Sequence, residues 1–278
     1  MSNPRENPRE LLRVLEQGAR KRFGQNFLTR GDIVSRMVRG ARVTDQDTVV
    51  EVGPGLGLLT EALVATKAKL TAIELDRDLA SYIDAQFGAD LRLIQGDALQ
   101  QDWAALFPEG GVKMVANLPY NVGTQLLIGV LDLPHIFRSV TVMLQHEVVA
   151  RCVAVPNTKA YGALSIRCQV RGKARFLLPV PPESFHPAPK VQSAVLHIDL
   201  FDAPDIPVPV EAFDRVVKAA FSQRRKTVLN SLGALYGRER TMAALEQAGV
   251  DPQLRAEALD LTAFRALAVA LEGAVSTS

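Results

Sequence analysis

The tetrapeptide Asn-Leu-Pro-Tyr, residues 117–120, follows directly on the apolar run Met-Val-Ala. The side-chain oxygen of Asn117 is a hydrogen-bond acceptor. Pro119 has no N–H and favours an extended backbone at Leu118, so the Leu118 carbonyl can accept a second hydrogen bond. Tyr120 adds a ring face on which a flat molecule can stack. These residues could hold a base that carries an amino group, or they could simply end a strand.

The exocyclic amine of adenine is a poor nucleophile, because its lone pair is delocalised into the ring. Two acceptors that hold the amine hydrogens out of the ring plane would localise this lone pair for attack on the methyl group of a sulfonium. The alkylated amine then loses its proton readily, so no strong base is required before the transfer. Positioning and electrostatics would therefore supply most of the catalysis.

A glycine-rich turn, Glu-Val-Gly-Pro-Gly-Leu-Gly at residues 51–57, lies between an apolar run and a segment with helical spacing. Gly53 and Gly55 allow a tight turn and a close approach of a ligand to the N-terminus of that helix. Glu74 follows 21 residues after Gly53, where an acidic side chain can accept hydrogen bonds from ribose hydroxyls. Leu58 replaces the last glycine of the dinucleotide fingerprint. The variant suits S-adenosylmethionine, which has a ribose and adenine but no pyrophosphate, although a plain strand-to-helix turn is the alternative.

Two further carboxylates have open assignments. Asp97, in "QGDAL", follows the apolar run at residues 91–95, which we predict to be the third strand. There it could accept a hydrogen bond from an adenine amine, or it could cap the following helix. The two roles do not exclude each other. Glu51, inside the glycine turn, could hold the backbone of that loop.

Composition and charge exclude several classes of protein. The chain has 278 residues, of which 47% are apolar and 22% charged, with a net charge of only +2. It is therefore a globular protein and not a polycation. Cys152 and Cys168 form no CxxC motif and the four histidines are scattered, so we expect no disulfide scaffold and no metal site. The start of the chain lacks the apolar region of a secretory signal, and no run of about 18 apolar residues exists, so we expect a cytoplasmic location and no membrane partner.

Apolar runs of strand length alternate with segments of helical period over the first two thirds of the chain. The predicted strands are 48–52, 70–75, 91–95, 112–116 and 139–144, and the predicted helices are 57–68, one around "RDLASYIDAQF", 121–132 and 146–154. This alternation predicts a Rossmann-like, mostly parallel α/β sheet with helices on both faces. Runs at 174–180 and 193–200 lie close together and predict an antiparallel edge pair.

The composition changes after residue 200. The segment 201–211 has three prolines in nine residues and is typical of a stiff linker, and 211–273 has helical period throughout. We therefore predict two domains, a donor-binding domain over 1–205 and a small all-helical domain over 206–278.

The segment "NLPYNVGTQLL" resembles the bacterial small-subunit ribosomal RNA adenine N6,N6-dimethyltransferases. "KRFGQNFL" (21–28), "EVGPGLGLLTEAL", "IELDRDL", "GDAL" and "SFHPAPKVQSAV" (184–195) extend the resemblance in order over about residues 20–275. The resemblance implies a class I methyltransferase fold and S-adenosylmethionine as methyl donor. It implies that the substrate is a pair of adjacent adenosines near the 3′ end of small-subunit (16S) RNA, each of which is dimethylated during subunit maturation.

The resemblance also implies a role for each matching residue. Asn26 and Leu28 would close over the donor. Gly53, together with the neighbouring Gly55, would lie under its methionine part, and Asn117 would contact its methionine end. Glu74 would bind its ribose, and Asp97 would lie near its adenine. Around the target, Asn117 with Leu118 and Pro119 would hold the amine, Tyr120 would stack on the flipped base, and Phe185 would cover its other face. His146 stands where lysine is expected, which concerns a backbone or RNA contact.

Basic residues form three clusters, and the resemblance assigns RNA contact to the third and to the helical domain. The clusters are Arg20–Arg22, then Arg167, Arg171, Lys173 and Arg175, and finally Arg224–Lys226. A solvated charged face is the alternative, especially for the middle cluster, and phosphate contact would make binding fall steeply with salt. We expect a monomer whose partner is RNA in an immature small subunit.

Three other functions fit parts of the sequence. A nicotinamide-dependent oxidoreductase is disfavoured by the missing glycine and by the lack of an evident hydride-transfer acid. A large-subunit RNA methyltransferase of the macrolide-resistance type is disfavoured by "NLPY" and "SFHPAPKVQSAV". A ribosome-assembly factor whose enzymatic activity is dispensable remains a plausible second role.

Overall fold

The computed structural model describes residues 26–273. Their packing separates two compact units, one of residues 26–149 and 175–200 and the other of residues 150–174 and 201–273. The helical unit thus takes in residues 150–174 as well as the C-terminal helices. The domain division at 205/206 stays a prediction.

The first unit is built on a mostly parallel seven-stranded sheet in the order β4-β3-β2-β5-β6-β9-β7. The strands are β2 (Thr48–Val52), β3 (Lys69–Glu74), β4 (Arg92–Gln95), β5 (Val112–Asn117), β6 (Phe137–Gln145), β7 (Gly172–Val180) and β9 (Ser193–Leu200). Neighbouring strands from β4 to β6 are parallel, and β9 runs antiparallel to β6. The predicted α/β fold is confirmed, and β9 and β7 are neighbours at one edge, as expected for an edge pair.

Helices cover this sheet. Their buried positions recur at helical spacing and form an apolar face that packs against it. They are Gly31–Ala41, Leu58–Val64, Arg77–Phe87, Trp103–Leu106, Gly123–Leu131 and His146–Cys152, with 3₁₀ turns at Ala98–Gln100 and Pro182–Ser184. The sequence analysis did not predict the first of these. Its buried residues Ile33, Val34, Met37 and Ala41 share one face, but Arg30 precedes it without a side-chain cap, so no start signal marks it.

A second sheet has only two strands of two residues each. Strand β1 (Phe27–Leu28) pairs antiparallel with β8 (Phe185–His186), so that Leu28 lies opposite Phe185. Both the backbone N–H and the hydroxyl of Thr29 donate to the Ser184 carbonyl, at 2.8 and 3.0 Å. These bonds hold two segments that are more than 150 residues apart in sequence against each other.

The second unit is helical, as predicted for its C-terminal part. Its helices are Ala163–Arg171, Val210–Ala220, Val228–Tyr236, Arg238–Gln247 and Leu261–Glu272, with a 3₁₀ turn at Ala256–Ala258. They surround one apolar core that includes Phe213, Leu232 and Phe264. None of the described helices is both long and apolar enough to span a membrane.

The proline-rich segment 201–211 is not the spacer that its composition suggested. Val208 is buried in the core of the helical unit. The Phe201 N–H donates to the Arg171 carbonyl at 3.0 Å, and the Asp205 N–H donates to the Val170 carbonyl at 2.8 Å. The linker interpretation was wrong, because these bonds and the Val208 side chain fix the segment to its own unit.

Candidate active site

A cleft opens at the carboxyl ends of β2, β3 and β5, where ligands bind in open α/β sheets. Three strand ends and the β1–β8 pair contribute to its walls. Its lining residues are Asn26, Phe27, Leu28, Glu51, Gly53, Pro54, Gly55, Leu56, Leu58, Leu59, Glu74, Asn117, Leu118, Pro119, Tyr120 and Phe185. The structure therefore brings together every predicted site residue except Asp97.

The glycine turn after β2 forms the floor of the cleft. Gly53 and Gly55 have φ angles of 68° and 57°, in the left-handed region that glycine adopts without strain. A Cβ on Gly55 would lie 3.1 Å from the Phe27 ring, so a side chain there would displace that ring. The Gly53 N–H donates to the Ile73 carbonyl at 2.9 Å, which ties the turn to β3. The turn thus leaves a narrow backbone surface beside an aromatic ring.

Glu74 ends β3 with its carboxylate fixed by backbone donors. Its two oxygens accept from the N–H groups of Gly55, at 3.2 Å, and Asp76, at 3.0 Å. Burial raises the pKa of Glu74, and these hydrogen bonds partly counter that effect. A carboxylate has about four lone-pair sites, so each oxygen retains capacity for one further donor. This geometry suits a ligand with two neighbouring hydroxyl groups.

Glu51 is the most unusual group of the cleft. Its carboxyl is 1% exposed, and its Oε2 has no hydrogen-bond partner among the described residues. Burial raises the pKa of Glu51 to about 8, an effect that the Thr60 hydroxyl lowers and the nearby Glu74 increases. The sequence analysis left open that Glu51 holds the loop backbone. An unpaired buried oxygen at the cleft is instead typical of a group that accepts a hydrogen bond from a ligand.

The Asn-Leu-Pro-Tyr segment lies immediately after β5, beside the glycine turn. The Asn117 Nδ2 donates to the Asn26 carbonyl at 3.4 Å, which leaves its Oδ1 as the acceptor. The Leu118 N–H donates to the Met143 carbonyl at 3.2 Å, and the Pro119 carbonyl accepts from Gly123 at 2.8 Å. No donor among the described residues reaches the Leu118 carbonyl. Two acceptors therefore stay available, as the sequence predicts.

Two aromatic rings border these acceptors. The Tyr120 hydroxyl makes a short hydrogen bond with the Ser193 hydroxyl at the start of β9, which fixes the position of its half-buried ring. Burial raises the pKa of Tyr120, so the phenol stays neutral. Phe185 is 5% exposed and is carried to the cleft by its pairing with Leu28. Both aromatic side chains line the cleft, where a flat ring could stack on them.

Asp97 follows β4 and does not line the cleft. Its Oδ1 accepts from the Leu99 N–H at 2.9 Å, so it caps the 3₁₀ turn at Ala98–Gln100. The cap that the sequence left open is therefore present, and the contact of Asp97 with a donor adenine stays a prediction.

The cleft contains residues that the sequence analysis did not assign to it. They include the apolar residues Phe27, Pro54, Leu56 and Leu59. Leu56 lies between two glycines of the turn, whose spacing does not fix its type, and Phe27 reaches the cleft through the β1–β8 pair. Neither therefore carries a signal in local spacing. Among residues 26–273, no three His, Cys, Asp or Glu side chains group as metal ligands.

The basic clusters separate into different environments. Arg20–Arg22 lie outside the described residues. In the helical unit, Arg167 and Arg171 both pair with Asp214, at 3.2 and 3.3 Å. Arg224 donates to the Lys159 carbonyl, whereas Arg225 and Lys226 are exposed. The middle cluster is thus partly structural, and RNA contact by Arg224–Lys226 stays a prediction.

Comparison with known proteins gives a consistent result over nearly the whole chain. A family model described as "Ribosomal RNA adenine dimethylase" matches residues 16–270. Proteins named "Ribosomal RNA small subunit methyltransferase A" are similar in sequence. The one from Syntrophotalea carbinolica is 46% identical over 90% of this chain and 95% of its own length. The one from Brucella canis is 43% identical over 94% of this chain and 95% of its own length.

Solved structures share the fold at lower identity. A dimethyladenosine transferase from Plasmodium falciparum aligns with a TM-score of 0.75 at 23% identity, over 87% of this chain and 95% of its own. The 23S rRNA methyltransferase ErmE aligns with a TM-score of 0.70 at 24% identity, over 89% of this chain and 100% of its own. At these identities the two alignments show a shared fold.

Proposed function

Since this chain belongs to the ribosomal RNA adenine dimethylase family, we propose that it methylates N6 of two adjacent adenosines near the 3′ end of small-subunit (16S) rRNA. Each adenosine becomes N6,N6-dimethyladenosine, and S-adenosylmethionine is the methyl donor. The chain is an rRNA methyltransferase, as are its relatives at 42–46% identity, which are named for the small subunit. The observation that carries the reaction is the pair of available acceptors at Asn117 Oδ1 and the Leu118 carbonyl.

The cleft residues fit the proposed donor. Glu74 retains acceptor capacity for the two ribose hydroxyls, and the glycine turn offers a backbone surface beside Phe27. Asn26, Leu28 and Asn117 line the neighbouring wall, where they would close over the donor. The unpaired oxygen of Glu51 can accept from an ammonium group. When bound, S-adenosylmethionine supplies an electrophilic methyl group on a sulfonium.

The same wall fits a flipped adenine. Asn117 Oδ1 and the Leu118 carbonyl would accept the two amine hydrogens and direct the nitrogen lone pair into the cleft. Tyr120 and Phe185 would stack on the two faces of the base. Flipping a base costs a few kcal/mol, and two stacking rings at ~1–3 kcal/mol each can offset this cost. After transfer, the acidic alkylated amine releases its proton without a dedicated base.

The finer parts of the proposal rest on the family resemblance. We place the substrate in an immature small subunit, with a cytoplasmic monomer as the active form. The helical domain, including the exposed Arg225 and Lys226, would supply phosphate contacts.

The test is methyl incorporation from labelled S-adenosylmethionine into unmethylated small subunits, followed by nucleoside analysis of the RNA. We expect dimethyladenosine with the wild type and a strongly reduced yield with Asn117→Ala. Glu74→Ala should lose donor binding and incorporation together.

The other outcomes separate the alternatives. Incorporation into large-subunit RNA alone would transfer the protein to the resistance-type class. Absence of incorporation into either RNA would refute the catalytic proposal, and binding of Glu74→Ala to immature subunits would then favour an assembly factor.

A further inference from the structure

An exposed pair of aromatic rings lies in the same unit as the cleft. The rings of His146 and Phe176 meet edge to face, with centroids 5.7 Å apart and planes at 69°. Phe176 is 38% exposed and sits on β7, the edge strand of the sheet. His146 is also exposed and directly follows β6. His146 therefore lies at the carboxyl edge that carries the cleft, and its ring contacts that of Phe176 in the middle of β7.

A short chain of contacts connects this pair to the proposed target site. The His146 N–H donates to the Gln192 carbonyl at 2.9 Å. The next residue, Ser193, makes the hydrogen bond that fixes the Tyr120 ring. Ser193 also lies opposite Gln145 in the β6–β9 register. The backbone of His146 is thus held one residue away from Ser193, which holds the ring that we propose to stack on the target adenosine.

We propose that His146 and Phe176 form a stacking surface for an unpaired nucleotide of the RNA substrate, next to the target adenosine. The inference rests on the proposed function, since it places a second base of the same RNA strand. Single-stranded RNA is recognised mainly through splayed bases that stack on aromatic side chains. Phe176 is partly exposed, so its ring can contact a base from solvent.

Exposed charges of both signs lie around the pair, and Glu147 directly follows His146. Lys190 is exposed in the segment that leads from Phe185 to Gln192, where it can meet a phosphate. Arg175 precedes Phe176 but pairs with Asp199 at 2.8 Å, so its charge is largely used within the protein. His146 stands where the family resemblance leads us to expect lysine. A ring at this position replaces a point charge with a surface that binds a base face.

The test measures the initial rate of methyl transfer against the concentration of unmethylated small subunits, at saturating S-adenosylmethionine. Phe176→Leu and Phe176→Ala remove the ring, and Phe176→Tyr keeps it as the matched control. We expect the first two to raise KM for the subunit roughly ten-fold, in line with the loss of one stacked base. Phe176→Tyr should behave as wild type, and kcat should stay within about two-fold in all three. Binding of S-adenosylhomocysteine should not change.

The remaining outcomes overturn the inference. An unchanged KM in Phe176→Leu and Phe176→Ala would remove the stacking role while leaving the proposed function intact. Equal losses in the leucine and tyrosine variants, or weakened S-adenosylhomocysteine binding, would assign Phe176 a structural role instead. A wild-type protein that transfers no methyl group to small subunits would refute the proposed function and this inference together.

Discussion

The two ends of the seven-stranded sheet treat their buried polar groups in opposite ways. At the amino ends of the parallel strands, the buried Lys113 Nζ lies 2.8 Å from Asp47 Oδ2 and 2.5 Å from the Arg42 carbonyl. His197 is fully buried opposite Thr141 in the middle of β6, 2.7 Å from Thr141 and 3.1 Å from Asp199. Polar groups at this end satisfy one another.

At the carboxyl ends, buried acceptors exceed the donors that the described residues provide. Glu51 Oε2 and the Leu118 carbonyl have no donor there, and Glu74 has spare acceptor capacity. Groups that are paired internally contribute to stability, whereas unpaired ones lower stability and are available to a ligand. One sheet therefore has a structural end and a functional end.

The largest expected effect is a loss of stability from a substitution at the structural end. Lys113→Met removes the partner of a buried carboxylate, and we expect it to lower the free energy of unfolding by about 3–5 kcal/mol. Urea denaturation measures this change. The double variant Lys113→Met/Asp47→Asn should recover part of the loss, because no charge then remains buried. Below the unfolding transition, Lys113→Met should retain methyl transfer; a variant that is stable but inactive would contradict the division between the two ends.

The next largest effect is a loss of activity from a substitution at the functional end. Asn117→Ala should lower kcat for methyl transfer about 10²- to 10³-fold, because it removes the acceptor that we propose acts on the reacting amine. Its stability should be close to that of the wild type, since the one hydrogen bond lost is long, at 3.4 Å. Asn121→Ala is the matched control, an exposed amide four residues further on. Equal losses in both variants would indicate a general disturbance of the loop.

Glu51 makes the stability of the functional end depend on pH, which can be compared with the structural end. Its pKa in the folded state, about 8, exceeds the ordinary glutamate value of 4.5, so the folded protein holds a proton that the unfolded chain releases. The free energy of unfolding should therefore fall as pH rises from 4.5 to 8, by up to ~1.4 kcal/mol per pH unit. Denaturation curves of Glu51→Gln and wild type across this range isolate the effect, since only the wild type has it. A constant difference between the two would refute the assignment.

At the structural end, the pH dependence of the free energy of unfolding has the opposite sign. Burial alone would raise the pKa of Asp47, but hydrogen bonds from Lys113 and Thr44 outweigh it and leave the pKa below its ordinary value. Its contribution to stability is present above that ordinary value and is lost as pH falls. The same sheet thus loses stability toward acid at one end and toward base at the other.

Much of the functional end could be predicted from sequence, because its residues stand at strand ends. Glycines that need positive φ, an acidic residue at the end of the next strand, and a proline that fixes the preceding backbone all act through local geometry. The positions of Gly53, Glu74 and Leu118 follow from that geometry once the strands are known.

The rest depends on contacts between distant segments. Phe27 lines the cleft because two residues of β1 pair with two of β8, a sheet too short for any periodic pattern. The charge of Arg171 in the sequence resembles that of Arg225, yet Arg171 is buried against Asp214 and Arg225 is exposed. Composition could not separate them, because the difference comes from a partner 43 residues away.

The smallest expected effect sharpens the comparison inside the functional end. Tyr120→Phe keeps the stacking ring and removes only its hydrogen bond to Ser193, which is worth about 0.5–1.5 kcal/mol. We expect kcat/KM for small subunits to fall about three- to ten-fold, and Ser193→Ala should give a similar loss. Because both variants remove the same bond, the double variant should lose little more than either one. Additive losses would mean that the two hydroxyls act separately, and that the ring is held by packing alone.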